Sequence, residues 1–309
     1  MIFEAKPTIV GHRGFGAGTP GGYAENTLES FLAAVAHGLS WIELDVQRSA
    51  DGQLVIRHDP VTPDGEFIVT RAADELAASG IVRLADVMAA LPPGVAVNID
   101  VKTIIEDAIG PPHRRTAALV AEALRRYAGQ RPLFVSSFDP SLLMYLKERE
   151  NTVPGVALGL ITWVNFPVWH AIPAAANLGL DAICLHIGTL GLRRKQPGRV
   201  MIALEKAIAA AHQAGLEVLA WSPTPDLAVR LAHAGADALS VNDIPGVLAA
   251  LAETGGAGRP EETTDREDRG RPRLRRAAGR LLRAAGRQGH GRAAAARSTS
   301  TRAAGLARG

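Results

Sequence analysis

Polar and apolar positions alternate strictly in two stretches of the chain and recur at helical spacing in most of the rest. In Trp41-Ile42-Glu43-Leu44-Asp45-Val46 the period is two, so Glu43 and Asp45 share one strand face and Ile42, Leu44 and Val46 the other. The same period in Val95–Lys102 puts Asn98, Asp100 and Lys102 on one face and Val97, Ile99 and Val101 on the other. Between these lies Leu54-Val55-Ile56-Arg57-His58-Asp59, preceded by the turn signal Asp51-Gly52. A two-residue turn there sets Ala50 opposite Gln53, Asp45 opposite His58 and Glu43 opposite Pro60.

Helical spacing appears first in Leu28, Phe31, Leu32, Val35 and Ala36, closing at Gly38 with Asn26 or Thr27 as N-cap. After an irregular stretch to about Arg83, a helix is expected over Leu84–Leu91, stopped by Pro92-Pro93. Helices then alternate with short apolar strands. Arg115–Tyr127 leads to Leu133–Ser136, Pro140–Arg149 to Val156–Ile161, and His170–Leu178 to Ala182–His186. Val200–Ala214 leads to Glu217–Trp221, Asp226–Ala234 to Ala238–Val241, and a last helix follows Pro245. With Thr8–Val10 at the start and the hairpin's return strand left out, eight strands remain. Eight βα units in about 250 residues predict an α/β fold of the TIM (β/α)8 type, with a β-hairpin after strand 2. An open doubly wound sheet would want a phosphate-binding glycine fingerprint, and the glycines after His12 do not have that spacing.

Charge divides the chain. Residues 253–309 hold 14 arginines, no lysine and 6 acids, whereas the remainder is mildly acidic, so the net +3 averages two unlike pieces. Residues 1–252 are therefore read as the barrel and 253–309 as an Arg/Ala/Gly-rich tail, expected to be disordered. In the tail Leu274, Ala277, Ala278, Leu281, Leu282 and Ala285 recur at helical spacing among arginines. Two readings stay open: a solvated tail, or a small basic amphipathic helix in weak contact with anionic membrane or nucleic acid. The single cysteine, Cys184, lies in an apolar run, which fits a core residue better than a nucleophile. No secretory signal and no run of 18 apolar residues is visible, so a cytoplasmic protein is expected, and nothing calls for an obligate protein partner.

In a TIM barrel the site forms at the carboxyl ends of the strands, where His12, Arg13, Glu43, Asp45, Asp100, Lys102 and Trp221 fall, with His58 beside them. Three carboxylates together suit one hard divalent cation, Mg²⁺ or Ca²⁺, and lack the thiolates of a structural zinc site. Arginine and lysine grip phosphate, and two histidines can share acid and base duties near neutral pH. No serine stands in a nucleophile elbow, so phosphodiester cleavage fits better than acyl transfer.

These residues carry a resemblance. Gly11-His12-Arg13-Gly14, Glu25-Asn26-Thr27, Glu43-Leu44-Asp45-Val46, Asp51-Gly52 and His58-Asp59 resemble the motifs of the glycerophosphodiester phosphodiesterase family. Ser137-Phe138-Asp139, Trp221 and Asp243-Ile244-Pro245 agree with its later landmarks, so the likeness covers roughly residues 8–250. It implies a metal-dependent hydrolase that releases an alcohol and sn-glycerol 3-phosphate from deacylated phospholipids. By motif, His12 and His58 are the acid–base pair, Arg13 and Lys102 contact phosphate, and Glu43, Asp45 and Asp100 hold the metal. Trp221 is a rim residue against the substrate. Two positions depart from the family pattern: Ala24 stands where proline is usual, and Asp100 where glutamate is usual. Two further readings stay beside this one: a lysophospholipase D-like enzyme acting on lysophospholipids, and a barrel that binds phosphoesters without turning them over.

Overall fold

A computed structural model describes residues 1–148, 151–191 and 202–256. Its strands are β1 (Thr8–Gly11), β2 (Trp41–Arg48), β3 (Leu54–Ile56), β4 (Ala96–Val101) and β5 (Leu133–Ser137). They continue with β6 (Val156–Ile161), β7 (Ala182–His186), β8 (Glu217–Trp221) and β9 (Ala238–Val241). Eight of them, all but β3, pair in parallel in the order β1-β9-β8-β7-β6-β5-β4-β2, and β1 pairs again with β2. That closes the sheet into the TIM barrel the spacing predicted.

The helices are α1 (Leu28–Ala36), α2 (Ala73–Ala78), α3 (Leu84–Ala90), α4 (Ile105–Ile109) and α5 (Thr116–Tyr127). They continue with α6 (Pro140–Lys147), α7 (Val168–Asn177), α8 (Leu204–Gln213), α9 (Pro225–His233) and α10 (Ile244–Gly256). Outward strand residues such as Ile42, Leu44, Val97, Ile99, Ile183 and Val218 join helix residues such as Phe31, Leu124 and Leu143 in one apolar layer around the barrel. The short α2 and α4 were not foreseen, because neither is long enough to show a period. The basic-tail expectations for 257–309 lie outside the described residues.

Inward residues decide what the barrel can do. At its amino-terminal floor Phe3, Trp41, Ala96, Phe134, Ala182 and Ala238 form a second apolar cluster. Phe3 is fully buried and plugs it, its ring 5.2 Å from Trp41 and 5.8 Å from Phe134. Gly159 makes room there, since a Cβ on it would meet the Phe134 ring at 2.4 Å. Two residues higher on β2, β4, β5 and β9 the inward set turns polar, through Glu43, Asn98, Ser136 and Ser240 and on to Asp45 and Asp100, while Ile161, Cys184 and Leu219 keep the β6–β8 side apolar.

The hairpin register differs from expectation. Val46 pairs with Ile56, Gln47 with Val55 and Arg48 with Leu54, one residue away from the register of a two-residue turn. Ser49 donates to the Gln53 carbonyl, so the loop is the three residues Ala50-Asp51-Gly52, with Gly52 at φ +77°. A left-handed third residue is what a three-residue hairpin loop requires. Asp45 therefore faces Arg57, whose N–H donates to the Asp45 carbonyl at 3.0 Å, and His58 is not its cross-strand neighbour. The chain from 59 to 83 is a small subdomain with its own core, Ile68, Ala73, Leu76 and Ile81 against Val55.

At the floor, the fully buried Asp237 side chain accepts hydrogen bonds from Lys6 and from His212 and Val218 N, the last two at 2.7 Å. Burial alone would raise this carboxyl, but Lys6 and the other donors outweigh it and hold it below the usual range. Asp237→Ala is expected to cost about 1–3 kcal/mol, since Val218 N–H is left buried without its acceptor. A depressed carboxyl stabilises above its unfolded-state pKa and loses that contribution as pH falls through its folded-state value. The urea midpoints of wild type and Asp237→Asn should thus lie furthest apart above about pH 5 and converge below about pH 4. A pH-independent gap would count against the network.

Candidate active site

Each group at the mouth is delivered by a strand end. His12 and Arg13 follow β1, Glu43 and Asp45 sit on β2, Asp100 sits on β4 with Lys102 directly after it, and Trp221 ends β8. All seven line one pocket together with His58, Asn98, Ser136, Phe138, Cys184 and Ser240. The structure thus brings together every residue the sequence singled out for the site.

The carboxylates are its centre. One oxygen each from Glu43, Asp45 and Asp100 lies within 4.8 Å of the others, and all three residues are buried. Lys102 Nζ bridges Asp45 Oδ1, at 2.8 Å, and Asp100 Oδ2. Arg13 donates its backbone N–H to Glu43 Oε2 at 2.7 Å, while its guanidinium lies beside Asp45 and Glu25. Burial pushes the Glu43 carboxyl well up, helped by the charges of Asp45 and Asp100. Burial likewise lifts Asp100 to about 6 against the pull of Lys102. For Asp45 the penalty of burial is outweighed by Lys102 and Arg13, which hold it at about 2. Three carboxylates thus face two fixed cations in a buried space, and the strain falls on Glu43 and Asp100.

That donor set fits a hard divalent cation. Asp100 Oδ1 is buried with no hydrogen-bond partner, an unpaired oxygen on a member of an all-oxygen cluster. With all three acids ionised the cluster carries one surplus negative charge. A divalent ion reverses it to one positive, which matches a phosphodiester monoanion.

The two imidazoles are held differently. His12 Nδ1 lies 2.7 Å from Asn242 Oδ1, an oxygen that also accepts from Ala17 N, so His12 donates and its Nε2 keeps a lone pair. Burial, reinforced by Arg13, lowers His12 to about 4. His58 Nδ1 donates to the Asp59 carboxylate at 2.8 Å. Since strand pairing does not place His58, another group must. The buried Gln47 does so: its Nε2 reaches the carbonyls of Arg57, His58 and Asp59 at 2.6 to 3.1 Å and latches the segment over the mouth.

Gln47, Asn242, Glu25 and Asn26 are site residues that pattern reading passed over. Asn26 was weighed as a helix cap, but Thr27 is the cap, accepting from Ser30 N at 3.2 Å. Asn26 sits at φ +58° and turns inward, donating to Asp45 Oδ2 at 2.8 Å and accepting from Asp45 N at 3.2 Å. A polar residue next to a cap, inside a glycine-rich loop, was the available signal. Trp221 packs against His186 at 4.3 Å between ring centroids, and its buried Nε1 has no hydrogen-bond partner.

A closed (β/α)8 barrel with acids, cations and imidazoles gathered at the carboxyl ends of its strands defines a TIM-barrel phosphodiesterase. The chain belongs to the glycerophosphoryl diester phosphodiesterase family, whose model matches residues 12–245. A glycerophosphodiester phosphodiesterase of Caldanaerobacter subterraneus is 26% identical over 200 residues, 59% of this chain and 75% of that protein. A glycerophosphocholine phosphodiesterase of Candida albicans is 44% identical over 55 residues, a stretch that spans 5% of its own length. Among solved structures, a phosphodiesterase of Oleispira antarctica in complex with the product sn-glycerol-3-phosphate superposes with a TM-score of 0.63. It is 24% identical, and the match covers 80% of this chain and 97% of that one.

Asn26→Ala and Asn26→Gly both remove the two hydrogen bonds to Asp45. Only alanine also pays for a left-handed backbone, so the glycine variant should retain about 1 kcal/mol more stability. Thermal unfolding of the pair checks this; equal losses would place the cost elsewhere.

Proposed function

We propose that this protein hydrolyses glycerophosphodiesters to sn-glycerol 3-phosphate and an alcohol. The observation that carries the reading is the meeting of two imidazoles, two fixed cations and three buried carboxylates in one pocket. Family membership and the Oleispira neighbour's bound product support the substrate class.

A divalent cation, Mg²⁺ or Ca²⁺, held by Glu43, Asp45 and Asp100 would stabilise the negative charge that develops on the phosphoryl oxygens. Arg13 and Lys102 supply fixed positive charge to the same oxygens. His12 is neutral at pH 7 and has its lone pair on Nε2, so it takes the proton from the attacking hydroxyl, either of water or of the substrate's own 2-hydroxyl, the latter giving a cyclic phosphate that water then opens to sn-glycerol 3-phosphate. His58, oriented by Asp59 and the Gln47 latch, gives a proton to the departing alkoxide. Trp221 offers its unpaired indole N–H to a substrate oxygen. Among the described residues no helix is long and apolar enough to cross a membrane.

His12→Ala and His58→Ala should each lower kcat for glycerophosphocholine by about 10²-fold or more, with circular dichroism spectra unchanged. Near wild-type turnover in either would sink its assignment. Chelator should abolish turnover and added Mg²⁺ or Ca²⁺ restore it. Metal-dependent binding of the diester without product would instead mark a barrel that holds phosphoesters and does not cleave them.

A further inference from the structure

From residue 162 to 169, between β6 and the first turn of α7, the chain holds no charged side chain. It displays Trp163, Val164, Phe166 and Trp169 to solvent, Trp163 with 68% of its surface. Neighbouring groups hold it in that posture. Phe166 N–H and the Thr189 hydroxyl donate to the Trp163 carbonyl at 2.9 and 3.3 Å, and Asn165 turns the chain at φ +67°. Gly188 leaves room for that turn, since a Cβ on it would meet Asn165 Oδ1 at 3.0 Å. Apolar surface that is both exposed and braced marks an interaction site.

Its surroundings fit a lipid bilayer. The loop stands at the carboxyl end of the barrel, and so does α4, which exposes Ile105 and Ile109, one helical turn apart. Apolar tips on separate elements at one end of a barrel suit a broad, fluid surface better than the groove of a single protein partner. Tryptophan is a side chain of that interface, with an apolar ring and a polar N–H. Charge points the same way. The chain leaves the described residues at Gly191, two residues after the Thr189 that holds Trp163, and returns at Ile202. The ten residues between carry Arg193, Arg194, Lys195 and Arg199 and no acid. On α4 the exposed Glu106 opposes them, while Asp107 turns inward to the Thr116 N–H and hydroxyl, each at 2.8 Å.

We propose that the loop of Trp163, Val164, Phe166 and Trp169 docks the protein on an anionic phospholipid bilayer. The rings enter the interfacial layer, and the cations that follow Gly191 in the chain add attraction for anionic head groups. The surface is separate from the catalytic pocket, whose lining includes Phe138 but none of these four side chains. Docking therefore requires no turnover and does not depend on which diester the pocket takes.

Cosedimentation with vesicles tests it, comparing the full chain with Trp163→Ser/Phe166→Ser and with Val164→Asp, each with an unchanged circular dichroism spectrum. All of these proteins keep residues 257–309, so the arginines of the tail act equally in each. On vesicles of equimolar phosphatidylcholine and phosphatidylglycerol, wild type should bind, and each variant should bind about tenfold more weakly or worse. Wild-type affinity for phosphatidylcholine alone should be lower by about tenfold. Absence of wild-type binding, equal binding by wild type and variants, or equal affinity for the two kinds of vesicle overturns the proposal. Sedimentation velocity without lipid checks for another occupant: a wild-type dimer that both variants convert to monomer overturns it in favour of a second copy of the chain. If the double variant does not fold, Val164→Asp, which changes one exposed side chain, decides.

Discussion

Three carboxylates buried within 4.8 Å of one another are the constraint on which the rest of the structure depends. Like charges out of water repel and are poorly solvated, so the cluster persists only beside compensating charge. Lys102 and Arg13 supply part of it, and they follow β4 and β1, the two strands that flank β2 in the barrel. The barrel closure between β1 and β2 is therefore also an electrostatic closure. What the two cations leave uncompensated appears as the raised carboxyls of Glu43 and Asp100, and there the site is prepared for a further positive charge.

The apolar floor makes that arrangement affordable in packing terms. Phe3, Trp41 and Phe134 fill the barrel below the acids, so the polar layer rests on a solid base and opens only at the carboxyl ends. Above the acids, short loops and single amides orient the chemistry. Asn26 holds Asp45, Asn242 fixes the tautomer of His12, and Gln47 holds the His58 segment. None of these amides carries charge, yet each sets the position of a group that does.

A barrel of eight βα units was legible in the chain because each strand is a short apolar run and each helix a stripe of 3.6 period. Four strands begin and end as read: Val156–Ile161, Ala182–His186, Glu217–Trp221 and Ala238–Val241. The acids were legible because period two puts Glu43 with Asp45 and Asp100 with Lys102. The hairpin register was not. Asp51-Gly52 fits both a two-residue and a three-residue loop, and only Ser49 pairing with Gln53 decides between them.

By itself, then, the sequence determined the fold class and which charged residues share a strand face, since both follow from local periodicity. It could not determine how His58 reaches the site, because that depends on a side chain eleven residues away, Gln47, bonding to backbone carbonyls. Nor could it show Asn26 turning from a helix start onto Asp45, or Phe138 and Trp163 meeting across neighbouring loops. Those are contacts between segments whose spacing is fixed only when the barrel closes.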